Sequence, residues 1–294
     1  MKKPLWSGAA ALALVIPGLL IVPGSAHAAP SSSVAYVKIA VSGDQATISQ
    51  STIRPGVVEF TVGSTFKIPG PDGGPDTLNV LRTDQLALVL STLPAVFGDF
   101  TDPTAAAASA AGMRTIHAIS TLYGGGNKGT TWQVKLSPGT YFVMGPQSTA
   151  RGMAKPVSFT VAGEPRPGVI HATQATVRAS GLVGANKFTF TRVGGLPVEW
   201  LRFTNAANEL HFLDMSGVKP NVSDAMVEKA FSSPSPPKWV TGPFYRFDVI
   251  SPGVSVAIKG PIDPGRYLID CFIPSESDGM PHALMGMWKL VTVR

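Results

Sequence analysis

Two stretches of this 294-residue chain run through the same order of signals, and a repeat of that kind constrains the fold more than any single residue does. The first contains Leu136-Ser137-Pro138-Gly139-Thr140-Tyr141-Phe142-Val143-Met144-Gly145 and closes on Val157-Ser158-Phe159-Thr160-Val161. The second contains Ile262-Asp263-Pro264-Gly265-Arg266-Tyr267-Leu268-Ile269-Asp270-Cys271 and closes on Leu290-Val291-Thr292-Val293. Each has a Pro-Gly turn, a tyrosine-bearing strand, a Gly-Met loop and a closing alternating strand. Upstream, Asp76-Thr77-Leu78-Asn79-Val80-Leu81 parallels Asn208-Glu209-Leu210-His211-Phe212-Leu213. Apolar and polar residues alternate over 57–62, 132–136 and 187–191, the mark of half-buried strands between Gly- and Pro-rich turns. The expected fold is all-β, a β-sandwich or barrel in two tandem halves with short helical insertions near 84–97, 103–123 and 223–231. Ser223-Asp224 is the expected start of the last helix. A stiff Pro-rich linker over 162–168 places the division between a first domain, 29–164, and a second, 165–294.

The ends suggest where such a chain resides. Lys2 and Lys3, an apolar run through 9–22, and Ala26-His27-Ala28 read as an export signal over 1–28. No later run is long and apolar enough to span a bilayer, so the mature chain is expected to be extracytoplasmic without a transmembrane segment. The formal charge of +6 comes from scattered residues and forms no basic stripe, which argues against nucleic acid as a partner.

Cys271 is the one cysteine, and in an oxidising compartment a lone thiol cannot form an internal disulfide. It opens Cys271-Phe272-Ile273-Pro274-Ser275-Glu276-Ser277-Asp278-Gly279-Met280-Pro281-His282, with Gly286-Met287 close behind. One thiolate, imidazole and a weak thioether form the ligand set of a type 1 copper centre. That set needs a second histidine, and His211 is placed to supply it. Taken singly, Cys271 also reads as a small core residue, His211 as a hydrogen-bonded strand-end histidine and Met287 as core filling.

The segments Val198-Glu199-Trp200-Leu201-Arg202-Phe203-Thr204-Asn205 and Glu209-Leu210-His211 resemble the strand, Asn-containing turn and first histidine ligand of cupredoxins. Pro264 to Cys271 resembles their Pro-Gly-x-Tyr-x-x-x-Cys approach to the thiolate, and His282-Ala283-Leu284-Met285-Gly286-Met287 their His-x-x-x-Gly-Met ending. The resemblance covers about 185–294, with 45–163 as a degenerate copy that has Asn79 and Gly145 where the second half has His211 and Cys271. It implies two tandem cupredoxin-like Greek-key β-sandwiches, the second holding one copper ion through His211, Cys271 and His282, with Met287 as axial ligand and Met285 as the rival. It further implies an electron carrier or copper-handling protein that works with a redox or copper-delivery partner, rather than a catalyst. The alternative is a non-metallated extracytoplasmic binding or structural protein.

One departure stands out. Ten residues separate Cys271 from His282, more than in electron-transfer cupredoxins or copper nitrite reductases, and Ser275, Glu276, Ser277 and Asp278 suggest an exposed, flexible loop. Of five histidines, His27 lies in the leader, and the other four are too few for a trinuclear copper cluster. They also leave little for a second catalytic copper. His117 and His171 lack a Cys, His or carboxylate partner at ligand spacing and read as structural. Cys271 and His282 could pair as nucleophile and base, but no third orienting group is evident. Gly124-Gly125-Gly126-Asn127-Lys128-Gly129 lacks phosphate-loop spacing and reads as a flexible connection.

Overall fold

Strands follow wherever branched and aromatic residues alternate with polar ones, because only a pleated segment can place the two kinds on opposite faces. A computed structural model of the chain describes residues 34–42, 45–63, 77–145, 147–148, 152–153, 155–195, 197–233 and 237–294. The export signal expected over 1–28 lies outside the described residues. In chain order the first strands are β1 (Val34–Ser42), β2 (Gln45–Ile48), β3 (Thr52–Ile53), β4 (Gly56–Val62), β5 (Leu78–Arg82), β6 (Thr121–Gly126), β7 (Thr131–Leu136), β8 (Gly139–Met144), β9 (Gln147–Ser148), β10 (Gly152–Met153) and β11 (Val157–Val161). They continue with β12 (Ala175–Gly181), β13 (Lys187–Arg192), β14 (Val198–Ala207), β15 (His211–Val218), β16 (Val240–Ile250), β17 (Ser255–Ile262), β18 (Gly265–Asp270) and β19 (Trp288–Val293). Three helices interrupt them: α1 (Leu86–Val96), α2 (Pro103–Ile119) and α3 (Asp224–Phe231).

Two large sheets result. One has the order β13-β12-β14-β17-β7-β4-β1-β2, the other β19-β18-β15-β16-β6-β5-β8-β11-β3. In both, strands from before residue 162 fill one side and strands from after residue 174 the other. They join by antiparallel pairing of β7 with β17, and of β6 with β16 at Tyr123 and Ile250. The two sides have matching internal patterns. β1 lies parallel to β4 as β12 does to β14, and antiparallel hairpin partners flank each pair. The corner tyrosines match as well: Tyr141 Oη donates to the Ser137 carbonyl at 2.8 Å and Tyr267 Oη to the Asp263 carbonyl at 2.7 Å. In each case a buried ring closes the turn four residues upstream, as in the corners of Greek-key sandwiches.

The sheets face one another across an aromatic core. Trp132 of β7 stacks on Phe60 of β4 at 5.1 Å and meets Phe247 of β16 edge-on at 5.9 Å. Phe247 in turn meets Phe203 of β14 at 6.5 Å, while Phe60 reaches Phe159 and Phe159 stacks on Tyr141. These rings form one chain through both sides of the molecule, so the apolar core is continuous.

The glycine run at 124–126 is a buried strand, β6, and not the flexible connection expected from its composition. Gly124 has φ +80°, and a Cβ there would collide with the Phe247 ring; the absence of a side chain is what lets the aromatic pack against the strand. The helical insertions fall where expected. Asp102 caps α2 by accepting from the Thr104 and Ala105 amides, with Pro103 in the first turn, and Ser223 caps α3. Tyr123, read as the end of the second insertion, belongs to β6. The 162–168 segment is docked on the first side, with the Arg166 amide donating to the Pro55 carbonyl at 2.8 Å. No helix among the described residues is long and apolar enough to cross a membrane.

The corner tyrosines give a direct check on this architecture. Tyr141→Phe and Tyr267→Phe are each expected to lose about 1 kcal/mol by removing one intramolecular hydrogen bond. Equilibrium denaturation should show a lowered midpoint at unchanged slope, and an unchanged midpoint in both variants would refute the corner assignment.

Candidate metal centre

The site is built from the turn before β15 and the loop after β18. Asn205 is fully buried and organises the turn: its Nδ2 donates to the Glu209 and Ile250 carbonyls, and its Oδ1 accepts from the Ala207 amide. That fixes the chain as it enters β15, whose first residue is His211. Cys271 follows directly on β18, two strands being held in register by the pairing of Asp214 with Asp270. His282 is brought back beside Cys271 because its amide donates to the Ile273 carbonyl at 3.0 Å and the Ala283 amide to the Cys271 carbonyl at 2.7 Å.

The result is that Cys271 Sγ lies 3.7 Å from His211 Nδ1 and 3.7 Å from His282 Nδ1. The three ligand-type atoms all fall within 4.8 Å of one another, and the residues are 0%, 0% and 1% exposed for His211, Cys271 and His282. Among the described residues this is the one such group of three. A metal bound to sulfur and nitrogen at about 2.3 and 2.0 Å, with the ligands spread trigonally, holds those two atoms about 3.7 Å apart. Both sulfur–nitrogen spacings therefore match those around a metal ion.

Its electrostatics point the same way. Burial pushes the Cys271 thiol up to about 12, even though the Ile273 and Phe212 amides favour the thiolate. Burial also holds the His211 imidazole well below its ordinary value, and His282 adds to the effect, so that ring is neutral. A neutral imidazole offers a lone pair, and a buried thiol becomes an anion only when a cation replaces its proton. Both Nε2 atoms are buried without a hydrogen bond of normal geometry.

The fourth expected residue, Met287, is 1% exposed, and its amide donates to the His282 carbonyl at 2.9 Å. It shares the buried core with Cys271. Met285 is half-buried, with its methyl group beside Gly184 on the turn between β12 and β13. The first-half counterpart Asn79 donates to the Val249 carbonyl at 3.2 Å and ties β5 to β16.

The ten-residue loop is folded rather than open, contrary to its polar composition. Pro274 and Pro281 form a bridge, the Ser275 amide donates to the Met280 carbonyl and the Gly279 amide to the Ser275 carbonyl. Ile273, Pro274 and Ser275 are buried. Helix α2 lies against the loop: Arg114 donates to the Glu276 carbonyl, and His117 Nδ1 meets Glu276 Oε1 at 2.7 Å. At Gly279, φ is +78° and a Cβ would strike the Ala106 carbonyl. A groove of about 370 Å³ runs along this contact, lined in part by Phe100, Arg114, Asp278 and Met280. His117 thus has a carboxylate partner 159 residues away, which its sequence neighbours could not reveal. His171 instead stacks on Trp200 at 4.4 Å.

Sequence reasoning missed Glu209. It is 0% exposed, and its Oε2 lies 3.4 Å from His282 Nε2. Oε1 accepts from Ser275 Oγ at 2.8 Å and the Glu276 amide at 2.6 Å; Oε2 accepts from the Gly184 amide at 3.1 Å and from Asn186 Nδ2. Burial opposes its charge, but His282, Ser275 and the Glu276 amide outweigh it and hold the carboxyl down to about 2. Glu209 is the orienting third group that a thiol–imidazole nucleophile would need. A thiol sealed from solvent and pushed upward is nevertheless the reverse of an activated one.

No protein-family model and no curated protein matches the chain. Among solved structures it is similar to dithionite-reduced auracyanin from Roseiflexus castenholzii, at 20% identity over 40% of this chain and 94% of that one, with a TM-score of 0.26. It is also similar to a multicopper oxidase, at 11% identity over 89% and 88% with a TM-score of 0.21. A third is the copper nitrite reductase from Nitrosomonas europaea, at 13% identity over 89% and 94% with a TM-score of 0.22.

Two outcomes follow from this geometry. In metal-free native protein Cys271 should be inert to aromatic disulfide reagents and react fully only in denaturant; stoichiometric labelling of the native state within minutes would contradict the burial. The Glu276 hydrogen bond raises the His117 value above its ordinary one, against burial. Its protonated ring therefore adds stability that is complete below the unfolded-chain value of about 6.5 and is lost as pH rises through the raised folded value. The stability gap between wild type and His117→Gln should shrink from mildly acidic to alkaline pH, and a gap that widens would reject the pairing.

Proposed function

We propose that this chain is an exported cupredoxin-like protein that holds one copper ion in its second half, where His211, Cys271, His282 and Met287 would be its ligands. The observation that carries the reading is a buried thiol sulfur equidistant, at 3.7 Å, from two imidazole Nδ1 atoms. One soft thiolate and two imidazoles suit copper, with a long thioether contact completing a type 1 centre. Bound copper would supply one-electron redox chemistry. The chain's own residues would do the rest: Asn205 and the β15–β18 pairing fix two ligands, and the amides of His282 and Ala283 fix the third.

One-electron transfer is favoured over copper delivery. Delivery requires an acceptor to reach the ion, whereas the three ligand residues are sealed beneath a folded loop and α2. Electron transfer needs only proximity to a redox partner and gains from a site that does not reorganise. The first half is read as a metal-free companion, and the leader over 1–28 as the reason the protein works outside the cytoplasm.

Loading the purified protein with Cu(II) tests the proposal. One equivalent should be retained through desalting and give an intense visible thiolate-to-copper band, absent in Cys271→Ser and strongly altered in His211→Ala. Protein that retains no stoichiometric copper and shows no such band would leave the non-metallated binding protein as the better reading.

A further inference from the structure

We propose that Glu209 is a positioning residue that fixes the tautomer of His282, keeping the ring proton on Nε2 and leaving Nδ1 bare toward Cys271 Sγ. The inference rests on the copper-site reading for its purpose, but its geometry is independent of any metal. A carboxylate can only accept hydrogen bonds. The ring nitrogen of His282 that faces Glu209 Oε2, at 3.4 Å, is therefore the one that carries hydrogen, which leaves Nδ1 bare whenever the ring holds a single proton. Both Nε2 atoms are buried and without a hydrogen bond of normal geometry, but among the described residues only that of His282 has a carboxylate oxygen in front of it.

The setting of Glu209 is costly unless its charge serves a purpose. An ionised carboxylate with no exposure carries a large desolvation cost, and among the described residues no lysine or arginine forms an ion pair with it. Its hydrogen-bond donors are neutral and come from two separate pieces of chain: Gly184 and Asn186 on the β12–β13 turn, and Ser275 and Glu276 on the ligand loop. A glutamine could keep the half of that frame that falls to its remaining oxygen, while its amide nitrogen would face two donors. What it would not do is present acceptors alone to the imidazole. Carboxylates placed behind histidine ligands orient the ring and raise its basicity. Glu209 also lies two residues before His211, so the same short turn that delivers one histidine disciplines the other.

Nitrogen-15 NMR of the histidine rings, in metal-free protein at mildly alkaline pH, reads the tautomer directly. Wild type should show His282 as the Nε2–H form, and Glu209→Gln should populate the Nδ1–H form. Ser275→Ala, which removes one bond to the carboxylate but leaves its charge, should keep the wild-type tautomer. With Cu(II) added, Glu209→Gln should lose 10- to 100-fold in affinity, on the order found for groups behind metal ligands, and its visible band should shift. A wild-type ring in the Nδ1–H form overturns the proposal without need of any variant. So does an equal tautomer shift in both variants, or a Glu209→Gln protein with wild-type tautomer and copper affinity. Failure of wild type to bind copper would instead count against the copper reading, while the metal-free spectra would still decide the role of Glu209.

Discussion

Trp132 is where the two sides of the molecule become one core. Its indole is fully buried and touches Phe60 on its own side and Phe247 on the other. Aromatic side chains of this size dominate the energetics of a β core, and here they also set its extent. Because β7 pairs with β17 and β6 with β16, the backbone ladder crosses the same boundary as the side chains. The positions of His211 on β15 and Cys271 after β18 are inherited from that frame.

The polar centre is assembled against the usual preference of a core for apolar groups. Cys271, His211, His282, Glu209 and Ser275 are all sealed from solvent, and Asp270 lies just behind them. Such a cluster is tolerable only if each group has a partner whose geometry is already set. The ten-residue loop provides much of this through its own hydrogen bonds and through Ser275 and Glu276, which reach Glu209. Length, which suggested looseness, is what allows the loop to fold back and complete the enclosure. The roof comes from elsewhere in the chain: Arg114 and His117 on α2, which belongs to the first side, grip Glu276.

Much of this was legible in the sequence because it is periodic or local. The alternating runs located β4, β7 and β13, the Pro-Gly-x-Tyr pattern located both corners, and Ser223 marked a helix start. Three of the four expected ligand residues, His211, Cys271 and His282, come together with their donor atoms converging. Misreadings arose where composition stood in for contacts. Gly124 to Gly126 looked like a hinge because glycine favours hinges, but Phe247 needs the missing side chain. Ser275 to Asp278 looked exposed because they are polar; Ser277 and Asp278 are, but Ser275 and Glu276 face a buried carboxylate. Glu209 was in plain view beside His211, yet nothing local distinguishes a buried glutamate from a solvated one; its donors lie 23 to 67 residues away.

The shared sheets bear on how this molecule could be divided. A fragment carrying only the second side would hold all the proposed ligand residues, yet it would present β17 and β16 as naked edges with unpaired amides and carbonyls. Such edges invite pairing with any available strand, including one from a second copy. The first side is therefore a permanent substitute for a neighbouring subunit: it occupies the open edges and lends a helix, within a single covalent chain.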